Sequence, residues 1–450
     1  MTHPQTLVRA LGRWSMAALV LNGIIGSGVF VLPGTVGGSL GWWSLLAWVI
    51  AAGLTAAMVF CFAEVASRFT TSGGAYLFTQ AAFGPFAALQ VGWLSYFVRA
   101  ITAAVQANLF STYLAEFVPW AATRLGNAVV SLLFIGILAA INIRGVVSGA
   151  RISNTFAVVK VAPLVAFGVL GVLWMASGKT VAPAAISDPG IGAWLGALLL
   201  LMFAYGGFES SVIPLAEAKD PGRDAPFALL AGLGLVTTLY LVAQLVVLAT
   251  LPDPDATNRA LADSTRVMLG AGGAAVISVA ALVSVYGWLA SNMLTVPRLS
   301  MAMAERGDFP AVLARVHPTL RTPWVSVLVF AGLSWILANQ SGLLGNLSLS
   351  AVSRLFVYGF VCASLPVFRR RDTQPSPAVG AARFRAPGGM LLAAIGVGGA
   401  IVLAARMNVR EAITMIIVVG LASLHWYVRS LSTLRRGTGD GPGQERSDER

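Results

Sequence analysis

The chain has 450 residues, 57% of them hydrophobic and 11% charged, and a formal net charge of +12. So little charge excludes a soluble globular protein of this length. The basic residues stand singly between apolar runs rather than on one face, so the positive balance does not point to nucleic acid as a partner.

Apolar runs of about 17–25 residues, the length that crosses a bilayer core of about 30 Å, recur along the chain. The first run begins near Trp14. It lacks the short apolar core and small-residue cleavage site of a signal peptide, so it reads as an uncleaved helix. The predicted spans are 14–36, 42–62, 86–114, 127–143, 152–174 and 191–215, then 227–249, 267–299, 324–338, 343–367, 390–405 and 413–428. The fold class is therefore an all-α membrane protein of about twelve transmembrane helices, one domain over 1–450, with the lipid bilayer as a partner. The tail at 437–450 is polar and reads as disordered.

With the N-terminus inside, Arg9, Arg13, Arg68, Arg144, Arg223, Arg306, Arg369, Arg370, Arg371, Arg435 and most other basic residues fall on the cytoplasmic side. The opposite side receives Arg124, Lys179, Arg259, Arg266, Arg406 and Arg410. This asymmetry predicts cytoplasmic termini by the positive-inside rule. The expected location is a bacterial inner membrane.

Two spans are weakened at their centres. The first carries Asn22-Gly23-Ile24-Ile25-Gly26-Ser27-Gly28, with three glycines within six residues. The sixth carries Phe203-Ala204-Tyr205-Gly206-Gly207-Phe208-Glu209. Each glycine costs a helix interior about 0.8–1.0 kcal/mol relative to alanine. Unwound backbone cannot face lipid, so both stretches must face protein or a wet cavity. Interruptions in spans one and six predict two inverted repeats, about 14–174 and 191–367, followed by two further helices at about 390–428, with a site between the breaks.

The stretch Gly23-Ile24-Ile25-Gly26-Ser27-Gly28-Val29-Phe30, followed by Pro33, resembles the first-helix signature of the amino acid–polyamine–organocation (APC) superfamily. Phe62-Ala63-Glu64-Val65-Ala66-Ser67-Arg68-Phe69, with Ser72-Gly73-Gly74-Ala75-Tyr76, resembles its second helix and the loop that follows. The sixth-span stretch, the loop Glu217-Ala218-Lys219-Asp220-Pro221-Gly222-Arg223 and the run from Pro297 to Pro310 match in the same order. The resemblance implies a LeuT-type fold, a 5+5 inverted repeat plus two helices with helices 1 and 6 broken. It implies a secondary active amino acid permease that works by alternating access. In that reading the N–H groups around Gly26, Ser27 and Gly28 take the substrate carboxylate, in keeping with the dipole of a half-helix N-terminus. Carbonyls of Gly23, Ile24, Phe203 and Ala204 take the ammonium, Phe203 closes over the substrate, and Tyr205 and Gly206 complete the second break.

Arg99, Lys160, Glu209 and Arg354 lie inside spans. A central charge of this kind costs about 2.5–3.5 kcal/mol on insertion scales, which directs it to protein or water. The resemblance implies a role for Lys160: several sodium-independent members carry a lysine in a context like Phe156-Ala157-Val158-Val159-Lys160 of the fifth helix, at the place where related symporters bind sodium. Proton transfer on Lys160 would drive symport, and a permanent charge would suit exchange; the residues leave both open. Glu209 is open to proton carriage or to an ion pair. The repeat symmetry relates Lys160 to Arg354 and predicts that each braces a broken helix, the first and the sixth. Arg99 is open to the substrate cavity or to Glu209.

The expected function is sodium-independent transport of a small-molecule amino acid, most simply a neutral one. Alternatives are a polyamine or cationic amino acid antiporter, and a transport-inactive nutrient sensor on the same fold. No enzyme, cofactor or metal is expected: His3, His317 and His425 form no catalytic constellation, and Cys61 and Cys362 read as small apolar side chains within spans.

Overall fold

The computed structural model describes residues 12–69, 73–145, 150–181, 188–209, 220–372 and 380–437. Ser72, residues 217–219 of the loop after the sixth span, and the expected disordered tail from 438 onward lie outside the described residues. Among the described residues there are fourteen α-helices and no strand. The first seven are α1 (Arg13–Ile24), α2 (Gly28–Leu40), α3 (Trp43–Ala66), α4 (Gly74–Phe83), α5 (Pro85–Leu114), α6 (Arg124–Ile143) and α7 (Ala150–Ala176). The rest are α8 (Ile191–Ala204), α9 (Pro221–Thr250), α10 (Ala260–Glu305), α11 (Trp324–Gln340), α12 (Gly342–Arg371), α13 (Gly389–Ala404) and α14 (Val409–Gly437).

Seven of these helices are long and apolar enough to cross a membrane alone, and α1 with α2 makes an eighth span bent by 50°. Four shorter apolar helices, in α7, α8, α11 and α13, complete the twelve expected from the sequence. Two features were not expected. The ten-residue α4 is too short to cross and sits between the second and third spans. The 46-residue α10 overruns its predicted span at both ends, and Gly270 (φ 74°) kinks it near the start. Hydropathy windows detect bilayer crossings and pass over helices too short to cross.

Glycine and proline punctuate the chain. Gly84 (φ 88°) ends α4, and Pro85 opens α5 at a position where its missing N–H leaves nothing unpaired. Thr123 caps α6 by accepting from the Gly126 N–H at 3.0 Å. Leu391, Ile401 and Ile416, on α13 and α14, are at least 65% exposed, as side chains turned to lipid are.

The central element is α5. Its most apolar stretch is 83% buried, and it packs against α4, α6, α10, α11, α12 and α14. Its polar residues therefore meet protein rather than lipid. On the other side of the breaks, α9 packs against α1, α2, α3 and α7.

Candidate functional site

The first span breaks where its glycines stand. The last bond of α1 runs from the Ile25 N–H to the Leu21 carbonyl at 2.8 Å, and Ile25 is extended (ψ 102°). Gly26 and Ser27 belong to neither helix, and α2 starts at Gly28. The first turn of a helix leaves its N–H groups without intrahelical acceptors, so this turn offers donors to an anion. The Ser27 hydroxyl and the Asn22 side-chain oxygen are buried there with no hydrogen-bond partner. Pro33 disturbs α2 one turn further on. Gln244 of α9 donates to the Pro33 carbonyl at 3.0 Å and Tyr113 to that of Phe30 at 2.9 Å, so carbonyls beside the disturbance keep partners.

In the sixth span, α8 stops at Ala204 and residues 205–207 form a turn, with Gly207 at φ 113°. The two breaks touch. A β-carbon on Gly207 would stand 2.1 Å from the Gly23 carbonyl oxygen, and one on Gly23 would stand 2.8 Å from that of Gly207. A β-carbon on Gly28 would stand 2.9 Å from Cα of Ala204 and 3.6 Å from the Phe203 ring. Only glycine fits a backbone that is both left-handed and this close to another.

The structure brings Gly23, Ile24, Phe203, Ala204 and Gly206 together at this junction, with two side chains that sequence reasoning did not name. The Tyr240 hydroxyl, on α9, lies 3.3 Å from the carbonyl oxygens of both Ile24 and Ala204. Gln106, on α5, sets its amide nitrogen 3.1 Å from where a Gly26 β-carbon would be, and its side-chain oxygen is buried without a partner. Tyr205 is fully buried, and its hydroxyl donates to the Trp48 carbonyl at 3.2 Å. A signal for these residues exists in the sequence: Tyr240 and Gln244, like Thr102 and Gln106, are polar pairs four residues apart within apolar spans.

Lys160, on α7, is buried, and its ammonium lies 3.4 Å from the carbonyl oxygens of Asn22 and Ile25. Arg354, on α12, lies against the other break. Its guanidinium sits 5.5 Å above the Phe203 ring, and its NH1 is so close to Gly206 that a β-carbon there would stand 1.8 Å away. Arg354 donates to Thr102 at 3.0 Å and faces a Glu209 oxygen at 3.8 Å. Glu209 also accepts from the Gly207 N–H at 2.8 Å and the Tyr358 hydroxyl at 2.7 Å. Arg99 donates to Asn292 of α10 at 3.1 Å, so Glu209 is paired with Arg354 rather than with Arg99.

A cavity of about 210 Å³ runs from Arg99, Glu209, Arg354 and Tyr358 to Tyr76, Arg306 and Asp308. Of the predicted site residues it is lined by Arg99, Glu209 and Arg354, and not by those at the junction of the two breaks. Asp308 ties its outer end together: Tyr76 of α4 donates to it at 2.7 Å, and Arg429 of α14 forms an ion pair with it. Burial and the neighbouring Asp308 carboxylate push the Tyr76 hydroxyl up to about 12.

A separate ion-pair cluster closes α3 onto the end of α12. Glu64, fully buried, takes Arg369 in two bonds at 2.8 and 2.6 Å and the Ala386 N–H at 2.8 Å. Arg68 lies 3.4 Å from Glu64 and is ion-paired with Asp372, which also takes Arg385 at 2.7 Å. This cluster accounts for the Glu64 and Arg68 of the second-helix motif.

Among the described residues no group of three His, Cys, Asp or Glu side chains could hold a metal, and both cysteines are free and buried.

The sequence profile of the amino acid permease family matches residues 11–423. The serine/threonine exchanger SteT of Bacillus subtilis (strain 168) is 30% identical over 382 residues, covering 82% of this chain and 84% of its own. Cationic amino acid transporter 4 of Mus musculus is 29% identical over 396 residues, covering 82% of this chain and 61% of its own. The methylthioribose transporter of Bacillus subtilis (strain 168) is 26% identical over 356 residues, covering 73% and 75%. With its broken first helix and twelve apolar segments, the chain belongs to the amino acid permease family of the APC superfamily, whose members here are membrane transporters and not enzymes.

Proposed function

We propose that this protein is a sodium-independent secondary carrier of neutral amino acids, working by alternating access as an exchanger or a proton symporter. The observation that carries the reading is Lys160, whose ammonium stands 3.4 Å from two carbonyls of the broken first helix. In sodium-coupled carriers of this architecture, unwound carbonyls coordinate the ion. A second cation about 4 Å from the first is opposed by roughly 4 kcal/mol at an effective dielectric of 20. The tethered ammonium therefore takes the place of sodium.

In this reading the N–H groups around Gly26, Ser27 and Gly28 hold the substrate carboxylate. Carbonyls of Gly23, Ile24, Phe203 and Ala204 hold its ammonium, and Phe203 covers it. The buried Arg354 and the half-buried Arg99, with Glu209 as the carboxylate beside them, disfavour a dicationic substrate. SteT, named for serine and threonine exchange, supports a small neutral amino acid, whereas cationic amino acid transporter 4 keeps a cationic one in the comparison. The division into repeats at 14–174 and 191–367, cytoplasmic termini and an inner-membrane location belong to the same proposal.

A thermal-shift screen of free amino acids and amines on the purified protein, with and without sodium, tests it. Stabilisation by neutral amino acids, equal in sodium and in potassium, is expected. Tight binding of putrescine without competition by amino acids would instead support the polyamine alternative.

A further inference from the structure

The cavity beside the sixth-helix break has more positive than negative charge at its inner end. Arg99 and Arg354 line it there with Glu209, and Asp308, the other carboxylate among the described lining residues, stands at the outer end. Glu209 is already engaged by Tyr358, the Gly207 N–H and Arg354. Arg99 has a neutral acceptor, the side-chain carbonyl of Asn292, which brings no counter-charge. Arg354 is 5% exposed, and its Nε and NH1 are buried without hydrogen-bond acceptors. At the outer end Asp308 is occupied by Arg429 and Tyr76, and Arg306 adds another positive charge to the wall. Donors of a buried guanidinium left without acceptors are costly, and in a low-dielectric cavity their natural complement is an anion.

The position relative to the substrate junction follows from α5. Gln106 touches Gly26 at the first break, Thr102 bonds Arg354, and Arg99 lines the cavity. Steps of three and four residues put all three on one helix face. Seven residues at about 1.5 Å each separate Arg99 from Gln106 by about 10 Å along the axis. None of Gly26, Ser27, Gly28 and Gln106 lines this cavity, so an anion held there at Arg99 is not the carboxylate held at Gly26–Gly28. The space, about 210 Å³, suits a small organic anion.

We propose that this cavity is a second, carboxylate-binding site, in which Arg99 and Arg354 hold the carboxylate of a small molecule on the α4 side of the substrate junction. It selects for the carboxylate and makes no use of an ammonium. In a working carrier it would be the stage at which a substrate that has left the breaks, or has yet to reach them, is held by its acid end. The proposal rests on the cavity, and not on the assignment of the substrate to the two breaks.

Calorimetric titration of the purified full-length protein tests it with three probes of one carbon skeleton. These are L-alanine, propionate, which lacks the ammonium, and ethylamine, which lacks the carboxylate. Propionate should bind the wild type and ethylamine should not. Arg99→Gln should weaken propionate by about tenfold or more, the scale of a lost charge-assisted bond. Arg99→Lys should retain part of the affinity. Gly26→Leu, which blocks the break, should leave propionate binding intact and remove one class of L-alanine site. Absence of propionate binding in the wild type, equal binding of ethylamine, or unchanged propionate affinity in a folded Arg99→Gln protein would overturn the proposal. Should Arg99→Gln fail to fold, the wild-type contrast between propionate and ethylamine decides alone. Propionate binding with L-alanine unaffected by Gly26→Leu would sustain this site while removing the substrate from the breaks.

Discussion

Tyr240 holds its hydroxyl 3.3 Å from the carbonyl oxygen of Ile24, and the same hydroxyl is as close to the carbonyl oxygen of Ala204. A hydroxyl carries one proton, so it serves one carbonyl at a time or shares the proton between them. Either way it links the end of α1 to the end of α8. In the proposed reading these two carbonyls also take the substrate ammonium, so the tyrosine and the substrate would address the same groups.

Tyr240→Phe should therefore leave an inserted, folded protein in which the two breaks are less firmly coupled. A hydrogen bond contributes about 0.5–1.5 kcal/mol net, so uptake should fall by roughly two- to tenfold. Initial rates in proteoliposomes measure it, and rates and half-saturation equal to wild type would show that the contact is incidental.

The glycines of the first break should differ in tolerance. A β-carbon at Gly26 meets the amide of Gln106 at 3.1 Å, a side chain that can give way, whereas one at Gly28 meets Cα of Ala204 at 2.9 Å, where backbone must move. Gly26→Ala should retain measurable substrate binding, and Gly28→Ala should lose most of it. Leucine at either position should abolish binding at the breaks, because in the proposed reading the backbone there must approach the carboxylate directly. Titration of the purified variants reads this, and wild-type affinity in either leucine variant would place the carboxylate elsewhere.

Both breaks were legible because glycine acts locally, through a helix penalty that composition reveals. Lys160 and Arg354 were legible as neighbours of the two breaks because charges inside apolar spans stand out and the proposed repeat pairs their helices. Tyr240 and Gln106 were not. A tyrosine or glutamine carries no charge to mark it in a span, and its meaning lies in which carbonyl or amide it faces, which depends on the packing of α9 and α5. The same limit hid the separation of Arg99 from Glu209: periodicity puts both inside the protein, and the rotation of α5 and α12 decides which base meets the acid. The short α4 escaped because ten residues are too few to carry a crossing signal.

The ion-pair cluster at Asp372 should resist acid. The bond from Arg68 and the charges of Arg68, Arg385 and Arg369 hold the Asp372 carboxyl below the usual range. A group lowered on folding contributes stability above its unfolded value, about 3.9, and loses it as pH falls through the lower folded value. Asp372→Asn should lower the apparent melting temperature at pH 7 by about 1–4 °C, the scale of a partly exposed pair. The gap should be the same at pH 5 and close only below about pH 4. A gap already closed at pH 5 would contradict this account of Asp372.

The central claim is that Lys160 takes the place of a coupling cation at the first break, and amino acid uptake into proteoliposomes tests it most directly. Sodium gradient, proton gradient and trans-side amino acid should be varied one at a time, in wild type and in Lys160→Ala. The account predicts wild-type uptake that is indifferent to sodium and driven by protons or by trans-side amino acid. It predicts a sharp fall in uptake for Lys160→Ala, even where substrate still binds. Uptake that requires sodium in the wild type, or that is unchanged in Lys160→Ala, would contradict it.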